Sequence, residues 1–186
     1  MTDRRTVIAD AAITTLAREG MRGFTHRAVD RTAGLAEGST SYYFRTRESL
    51  LFAVLARMAD LDRADIGALP TGDVGLEQLT DLMAGVAHVW LTDARDRTLA
   101  RYELTLESTR RPDLRAKMVE HGAQFRQMGE AVLAAAGAPE ARRRGHAMVA
   151  AFDGLIYHQL AGVGAGEMSR ADLRAACHDL LRAAFC

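Results

Sequence analysis

Apolar residues recur at spacings of three and four along most of this 186-residue chain, and that period constrains the fold more than any other feature. Only three prolines interrupt the sequence, and no segment alternates apolar and polar residues in the convincing way that strands do. We therefore predict an all-α protein of about nine helices.

Glycines and small polar residues indicate where the helices begin and end. Gly20 is placed to stop the first helix, Thr25 to cap the second, and Thr46, with Glu48 in the first turn, to cap the fourth. A Ser-Arg-Ala-Asp sequence at 169–172 has the form of a capping box before the last helix. The helices are predicted at about 7–20, 25–34, 39–44, 46–64, 74–92, 96–109, 113–136, 140–162 and 170–185.

The segment 67–73 is the clearest break in the sequence, because it contains Pro70, Thr71 and Gly72 in succession. A chain of this length suits one or two compact units. We therefore expect a joint between two domains near this segment.

Charge and hydropathy limit the classes of protein that the chain fits. Lys and Arg total 24, and so do Asp and Glu, so any nucleic-acid site has to be a local patch and not a property of the whole chain. No apolar run reaches the ~20 residues that a transmembrane helix needs, so no membrane partner is predicted. The two cysteines show no framework spacing and no leader is evident, so we expect a cytoplasmic protein.

The stretch THRAVDRTAGLAEGSTSYYFRTRESLL, residues 25–51, places two short helices around a tight turn that contains glycine. Residues 34–38 supply the turn, and the pair has the form of a helix-turn-helix whose second helix is able to enter the major groove of DNA. The hydroxyls of Ser39, Thr40 and Ser41 would then lie where base edges are reachable.

Several side chains around this turn are candidates for contacts with DNA phosphates. Thr25, at a helix N-terminus, can present its hydroxyl and nearby backbone N–H groups to a phosphate. The other candidates are Arg27, Arg45, Arg47 and the hydroxyl of Tyr43. A turn of this kind is also an ordinary way to pack two helices, so a helical protein that does not touch DNA is the alternative.

Five short motifs follow one another at defined spacings within residues 4–55. They are Ala-Arg-Glu-Gly, Gly-Phe-Thr, Ala-Gly-Leu, Gly-Ser-Thr-Ser-Tyr-Tyr-Phe and Thr-Arg-Glu-Ser-Leu. Together they resemble the DNA-binding domain of the TetR (TetR/AcrR) family of transcriptional regulators. The resemblance implies a helix-turn-helix DNA-binding domain at 1–48 and a helical effector-binding and dimerisation domain at 49–186, with the helix at 46–64 connecting them.

The resemblance also assigns roles at the predicted DNA surface. Tyr42 lies where an aromatic side chain pins the short helix in this family, or it reaches the DNA backbone instead. Glu37 departs from the family pattern, in which lysine, glutamine or proline is frequent at this position. Its carboxylate would lower affinity beside a phosphate, or it would accept a hydrogen bond from a cytosine amino group. The predicted DNA-binding residues are Thr25, Arg27, Tyr43, Arg45 and Arg47 towards phosphates, Ser39, Thr40 and Ser41 towards bases, and Glu37 and Tyr42 on the same surface.

A single helix-turn-helix covers one half-site, so specific binding calls for a dimer that holds two recognition helices about one DNA turn, ~34 Å, apart. The helices at 140–162 and 170–185 resemble the pair that forms the dimer interface in this family. Packing within one chain is the alternative for their apolar residues. The predicted interface residues are Met148, Leu155, Ile156, Gln159, Leu173, Cys177, Leu180 and Leu181.

Residues 74–136 resemble the effector-binding core of the family in architecture only. Such pockets are mostly apolar with few polar anchors, and packing in an ordinary core is the competing interpretation for each apolar residue. The candidates are Met83, Trp90, Tyr102, Phe125, Met128 and Phe152 as apolar lining, with His88, Glu103 and Gln124 as polar anchors.

No residue pattern indicates catalysis, a bound metal or a cofactor. We therefore predict a non-enzymatic, DNA-binding transcriptional regulator, and in particular a repressor. It would bind a pseudo-palindromic operator as a homodimer and be released by an unidentified small-molecule effector. The alternative is a helical dimeric ligand-binding or scaffolding protein without DNA affinity.

Overall fold

The computed structural model describes residues 3–67, 74–163 and 165–185, and all regular structure in these ranges is α-helical, as predicted. The predicted break at 67–73 lies outside the described residues except for its first member. The helices of the described ranges are α1 (Arg4–Gly23), α2 (His26–Ala33), α3 (Ser39–Tyr43), α4 (Arg47–Ile66), α5 (Leu76–Leu91), α6 (Arg95–Ser108), α7 (Pro112–Ala135), α8 (Ala141–Ala161) and α9 (Arg170–Phe185).

The helix ends follow the predicted signals with one difference, at the end of α1. The backbone of α1 leaves the helical conformation at Gly20, which has φ 64°, but helical residues continue to Gly23. Thr46 caps α4 through a reciprocal pair with Ser49, whose amide donates to the Thr46 hydroxyl at 3.0 Å. The predicted capping box before α9 is present, because the Asp172 amide donates to the Ser169 hydroxyl at 3.2 Å.

The first compact unit comprises residues 1–64 and 96–121 of the chain, and its core joins α1 to α4 with α6 and the start of α7. Phe24, in the connection between α1 and α2, is fully buried in this core. The largest fully buried side chains around it are Ile8, Leu16, Val29, Leu50, Leu51, Met58, Leu104 and Leu114. The two helices of the predicted DNA-binding turn therefore rest on a shared apolar base.

The second unit comprises residues 65–95 and 122–186, and α5, α8 and α9 pack against one another in it. One apolar cluster surrounds Trp90, and another surrounds Leu133. The crossing of α7 and α8 is close, because a Cβ placed on Gly145 would lie 2.7 Å from the backbone nitrogen of Glu130. Among the described residues, no helix has both the length and the apolar character needed to cross a membrane.

The compact units do not coincide with the predicted division at residue 48. α6 and the start of α7 pack in the same unit as the helix-turn-helix, and α4 belongs to that unit up to residue 64. The division by function into 1–48 and 49–186 stays a prediction, since packing and function need not divide a chain at the same residue.

Candidate nucleic-acid interface

The turn between α2 and α3 is held in the shape of a helix-turn-helix by local backbone chemistry. Thr25 caps α2, because its hydroxyl accepts a hydrogen bond from the Ala28 amide at 3.2 Å. Gly34 ends α2 with φ 64°, and Gly38 opens α3 with φ 92°. Both values lie in the left-handed region that glycine adopts without steric cost, so the two glycines fix the direction in which α3 leaves the turn.

The buried carboxylate of Asp30, on α2, anchors the start of α3. Its carboxylate accepts hydrogen bonds from the Gly38 amide at 2.8 Å, the Thr40 amide at 2.7 Å and the Thr40 hydroxyl at 2.6 Å. Burial opposes ionisation of this carboxyl, but these hydrogen bonds and the nearby His26 outweigh burial and hold the pKa of Asp30 below its ordinary value. Asp30 was not predicted as a site residue, because its partners lie eight and ten residues away in sequence.

The anchoring by Asp30 corrects the prediction for Thr40. The Thr40 side chain is fully buried, and its hydroxyl donates to Asp30 instead of facing solvent. Thr40 therefore positions α3 from the inside and is not placed to contact bases. Ser39, the preceding residue, is half-buried, while Ser41, the following residue, is exposed.

The outer surface of α2, the turn and α3 carries most of the other predicted contacts. Tyr42 is 79% exposed, and its ring packs edge-on against Tyr43 with centroids 5.1 Å apart. Tyr42 therefore stands out from the protein and does not pin α3 to the core. Of the remaining predicted residues, Tyr43 is half-buried, and the exposed ones are Thr25, Arg27, Glu37, Arg45 and Arg47.

The end of α3 is supported by two residues that the sequence did not single out. The guanidinium carbon of Arg5 lies 5.8 Å from the ring centroid of Tyr43 and 5.3 Å from that of Phe44, within the range of cation–π attraction. Nε2 of His26 lies 2.7 Å from the Phe44 carbonyl oxygen. A carbonyl only accepts, so this nitrogen carries a proton and donates.

Arg47 has a structural role besides its predicted contact with phosphate. Its Nε donates to the Phe24 carbonyl at 3.1 Å, and its Nη2 donates to the Met21 carbonyl. These bonds tie the first residue of α4 to the last turn of α1 and to the connection between α1 and α2. A guanidinium carries five N–H donors, so the donors on Nη1 stay available to a phosphate.

Arg27 and Glu37 form a two-point ion pair on the exposed surface. Nε of Arg27 lies 3.0 Å from Oε1 of Glu37, and Nη2 donates to Oε2 at 3.2 Å. The pair links α2 to the turn before α3. Arg27, a predicted phosphate contact, therefore already binds the carboxylate of Glu37, the residue that departs from the family pattern.

Two family models match most of the chain. The model described as bacterial regulatory proteins, tetR family, matches residues 8–54, and the model described as tetracyclin repressor-like, C-terminal domain, matches residues 74–183. The chain belongs to the TetR family. Members of this family are DNA-binding transcriptional regulators and not enzymes, which confirms the predicted family and class of protein. A comparison with curated proteins gave no significant match.

Solved structures of similar proteins share the architecture over nearly the whole chain. A transcriptional regulator from Rhodococcus sp. Rha1 has a TM-score of 0.77 at 21% identity, with 99% of each chain covered, which shows a shared fold. A TetR-family member from Streptomyces coelicolor A3 has a TM-score of 0.73 at 29% identity, covering 96% of this chain and 98% of the other. The multidrug binding protein EbrR, complexed with imidazole, has a TM-score of 0.66 at 29% identity, covering 98% and 95%.

The second unit of this TetR-family protein brings together five of the predicted effector residues. Trp90 lies at the centre, with ring centroids 5.9 Å from those of both Phe125 and Phe152. Met83 and Met128 pack against the same cluster.

Trp90 is 4% exposed, and its indole N–H donates to the Asp65 carboxylate at 3.1 Å. Trp90 is therefore a core residue in this structure, as the competing interpretation states.

The remaining effector candidates are Tyr102 and the three polar anchors. His88 is half-buried and Gln124 is exposed. Tyr102 and Glu103 lie on α6 in the first unit, and their role towards an effector stays a prediction. A carboxylate oxygen of Glu103 lies 3.6 Å from the position of a Cβ on Gly20 of α1.

Most of the predicted dimer contacts face the interior of their own subunit. Gln159 is 8% exposed, and its side-chain oxygen accepts from the Met168 amide at 3.2 Å. Burial raises the pKa of the Cys177 thiol to about 11. The alternative of packing within one chain therefore applies to Ile156, Gln159, Leu173, Cys177 and Leu181, whereas Met148, Leu155 and Leu180 are half-buried.

Proposed function

We propose that this TetR-family regulator is a cytoplasmic repressor that binds a pseudo-palindromic operator as a homodimer and leaves it when a small molecule binds. The observation that supports DNA reading best is the contrast between Thr40 and its neighbours in α3. Thr40 is buried against Asp30, whereas Ser41 and Tyr42 are exposed. A short helix locked from the inside presents a defined outer surface to a groove.

The proposed contacts follow from that surface. Ser41 and Tyr42 would meet base edges, with Ser39 beside them, because small side chains and a projecting ring suit the wide major groove. Phosphate contacts are proposed for Thr25, Arg27, Tyr43, Arg45 and Nη1 of Arg47.

Two copies are needed because α3 spans only residues 39–43, too few to read more than one half-site. The proposed interface is the outer side of α8, where small side chains permit close approach of a second helix. Tyr157 adds a half-exposed ring to that side. The exposed small residues are Ala147, Ala150, Ala151, Gly154 and Ala161.

The effector is proposed to act on the second unit. EbrR, a relative of 29% identity, has been solved with proflavin, and also with ethidium at 28% identity. Planar aromatic molecules of this kind stack on aromatic side chains, and the half-buried rings of Phe125 and Phe152, which pack on the buried Trp90, supply such side chains. To release DNA, the effector must bind more tightly to a form of the protein that is unable to bind the operator.

Selection of binding sites from a random duplex pool, followed by fluorescence anisotropy with the full chain, tests DNA binding. We expect a two-fold symmetric consensus whose affinity falls with salt. Tyr42→Ala should weaken binding to the selected site about 5- to 150-fold, the range of a lost base contact.

A matched pair of arginine variants distinguishes the surfaces. Arg45→Ala should weaken binding to all duplexes and reduce the salt dependence by about one phosphate contact per subunit. Arg142→Ala, at an exposed arginine of the second unit, should leave both unchanged. Recovery of no consensus, together with equal behaviour of the two variants, would instead favour a ligand-binding or scaffolding protein without DNA affinity.

A further inference from the structure

The ion pair between Arg27 and Glu37 lies within the proposed DNA surface, where two roles conflict. A free Arg27 would attract any phosphate, whatever the base sequence. In the structure its guanidinium makes two contacts with Glu37, at 3.0 and 3.2 Å, that also suit a phosphate. The same donors are unable to serve both anions fully at once.

We propose that Glu37 is a specificity-determining residue, which lowers affinity for unrelated DNA by competing with phosphate for Arg27. This inference rests on the proposed DNA-binding function. The carboxylate belongs to the turn immediately before Gly38, so it remains beside the DNA whether or not it holds Arg27. Glu37 therefore lowers the affinity for every duplex in one of two ways. Either Arg27 loses its contact with phosphate, or a phosphate lies beside a carboxylate that has no partner.

The ion pair between Arg27 and Glu37 is weak enough for a phosphate of the operator to displace Glu37. The side chains of Arg27 and Glu37 are 78% and 68% exposed. Solvent screens such a pair, so a well-placed phosphate can displace Glu37. Arg45, which is also exposed, has no acidic partner among the residues that the structure describes, and it serves as the uncompeted comparison.

The base sequence of the DNA matters because it decides which base edges lie beside the displaced Glu37 carboxylate. Amino groups of cytosine and adenine are hydrogen-bond donors in the major groove, and a carboxylate only accepts. A base pair that presents such a donor beside the turn relieves the unfavourable state, while other base pairs do not. Glu37 thus separates the operator from other DNA by lowering binding to the latter.

Fluorescence anisotropy of the full chain on a 30-base-pair random-sequence duplex and on the selected operator tests this competition. Glu37→Gln keeps the side-chain size and removes the charge. We expect it to raise affinity for the random duplex about 2- to 30-fold for two subunits, because an exposed ion pair contributes about 0.2–1 kcal/mol in each subunit. The salt dependence should steepen by about 0.9 per subunit, because each Arg27 gains a phosphate. The gain on the operator should be smaller, so the specificity ratio falls.

Two control variants isolate the mechanism. In an Arg27→Ala background, the Glu37→Gln change should raise affinity for the random duplex clearly less than it does with Arg27 present, because only the repulsion between the carboxylate and phosphate is then removed. Glu140→Gln removes the same charge from a matched two-point pair with Arg143, at 2.7 and 2.8 Å in the second unit, and should leave DNA binding unchanged. This control excludes an effect of total protein charge.

Four results would overturn the inference. The first is unchanged affinity and salt dependence in Glu37→Gln. The second is an equal gain without Arg27, which would indicate direct repulsion of phosphate. The third is loss of operator binding alone, which would make Glu37 a simple base contact. The fourth is a wild-type protein that binds neither duplex, in which case the proposed function fails as well.

Discussion

The carboxylate oxygen Oδ1 of Asp62 lies 2.9 Å from Nε of Arg97, and both side chains are at least nine-tenths buried in the first unit. Nη1 of Arg101 and Nε2 of His121 each lie 3.5 Å from the other oxygen of Asp62. A single carboxylate on α4 thereby meets three basic side chains from α6 and α7. Burial lowers the pKa of Arg97, and the negative charge of Asp62 partly offsets this decrease.

Replacing Asp62 by Asn should destabilise the protein by about 3–5 kcal/mol, because breaking a buried ion pair leaves its partner charge without compensation. Urea unfolding at one fixed protein concentration measures the change. Asp60→Asn is the matched control, because Asp60 pairs with Arg63 on the surface of the same helix, and it should cost less than about 1 kcal/mol. Equal effects of the two substitutions would show that the Asp62 pair adds nothing to stability.

Asp30 should make stability depend on acid pH. Its pKa is lower in the folded than in the unfolded chain, so the unfolded chain binds more protons in acid. The stabilisation is complete above the ordinary value of 3.8 and is lost as the pH falls through the folded pKa. Asp30→Asn should lower the free energy of unfolding at pH 7 by about 2–4 kcal/mol, since it weakens charge-assisted hydrogen bonds. Urea unfolding from pH 7 downward, with exposed Asp93→Asn as control, measures both effects. A wild-type pH profile that Asp30→Asn leaves unchanged would contradict the assignment.

Gly145→Ala should destabilise the second unit by about 1–3 kcal/mol, the usual cost of overpacking. The new Cβ would lie 2.7 Å from backbone atoms of Gly129 and Glu130, so α7 and α8 would have to separate. Gly85→Ala is the control, because a Cβ there meets nothing within 4 Å and helix propensity should raise stability by up to about 1 kcal/mol. Thermal unfolding compares the two. A neutral Gly145→Ala would mean that the crossing adjusts without cost.

Ala151→Glu tests the proposed dimer face on α8. A charge facing its copy across a two-fold axis should convert dimers to monomers and weaken operator binding by at least about tenfold, since each monomer reads one half-site. Light scattering after size-exclusion chromatography reports the mass. Ala116→Glu, at an exposed alanine of α7, should leave the mass unchanged. A dimer that survives Ala151→Glu would place the interface elsewhere.

Local chemistry made the helices and the turn predictable. Gly34 and Gly38 adopt positive φ where the sequence indicated a turn, and Thr25 caps α2 as expected. Each of these features depends on residues at most a few positions apart. The anchor formed by Asp30 and Thr40 joins two helices, and its two residues lie ten positions apart, beyond the range of such local signals.

The sequence by itself determined which segments are helical, where the turn lies and to which family the motifs belong, because periodicity, capping and glycine conformation act over short distances. The tertiary structure decided which side of each helix faces inward. α8 carries apolar residues on more than one side, so Ile156 could be assigned to the core, and the alanines to the outside, only once α8 had packed against α5 and α9. The pairing of Asp62 with Arg97 was decided in the same way, since only the folded chain brings the two helices together.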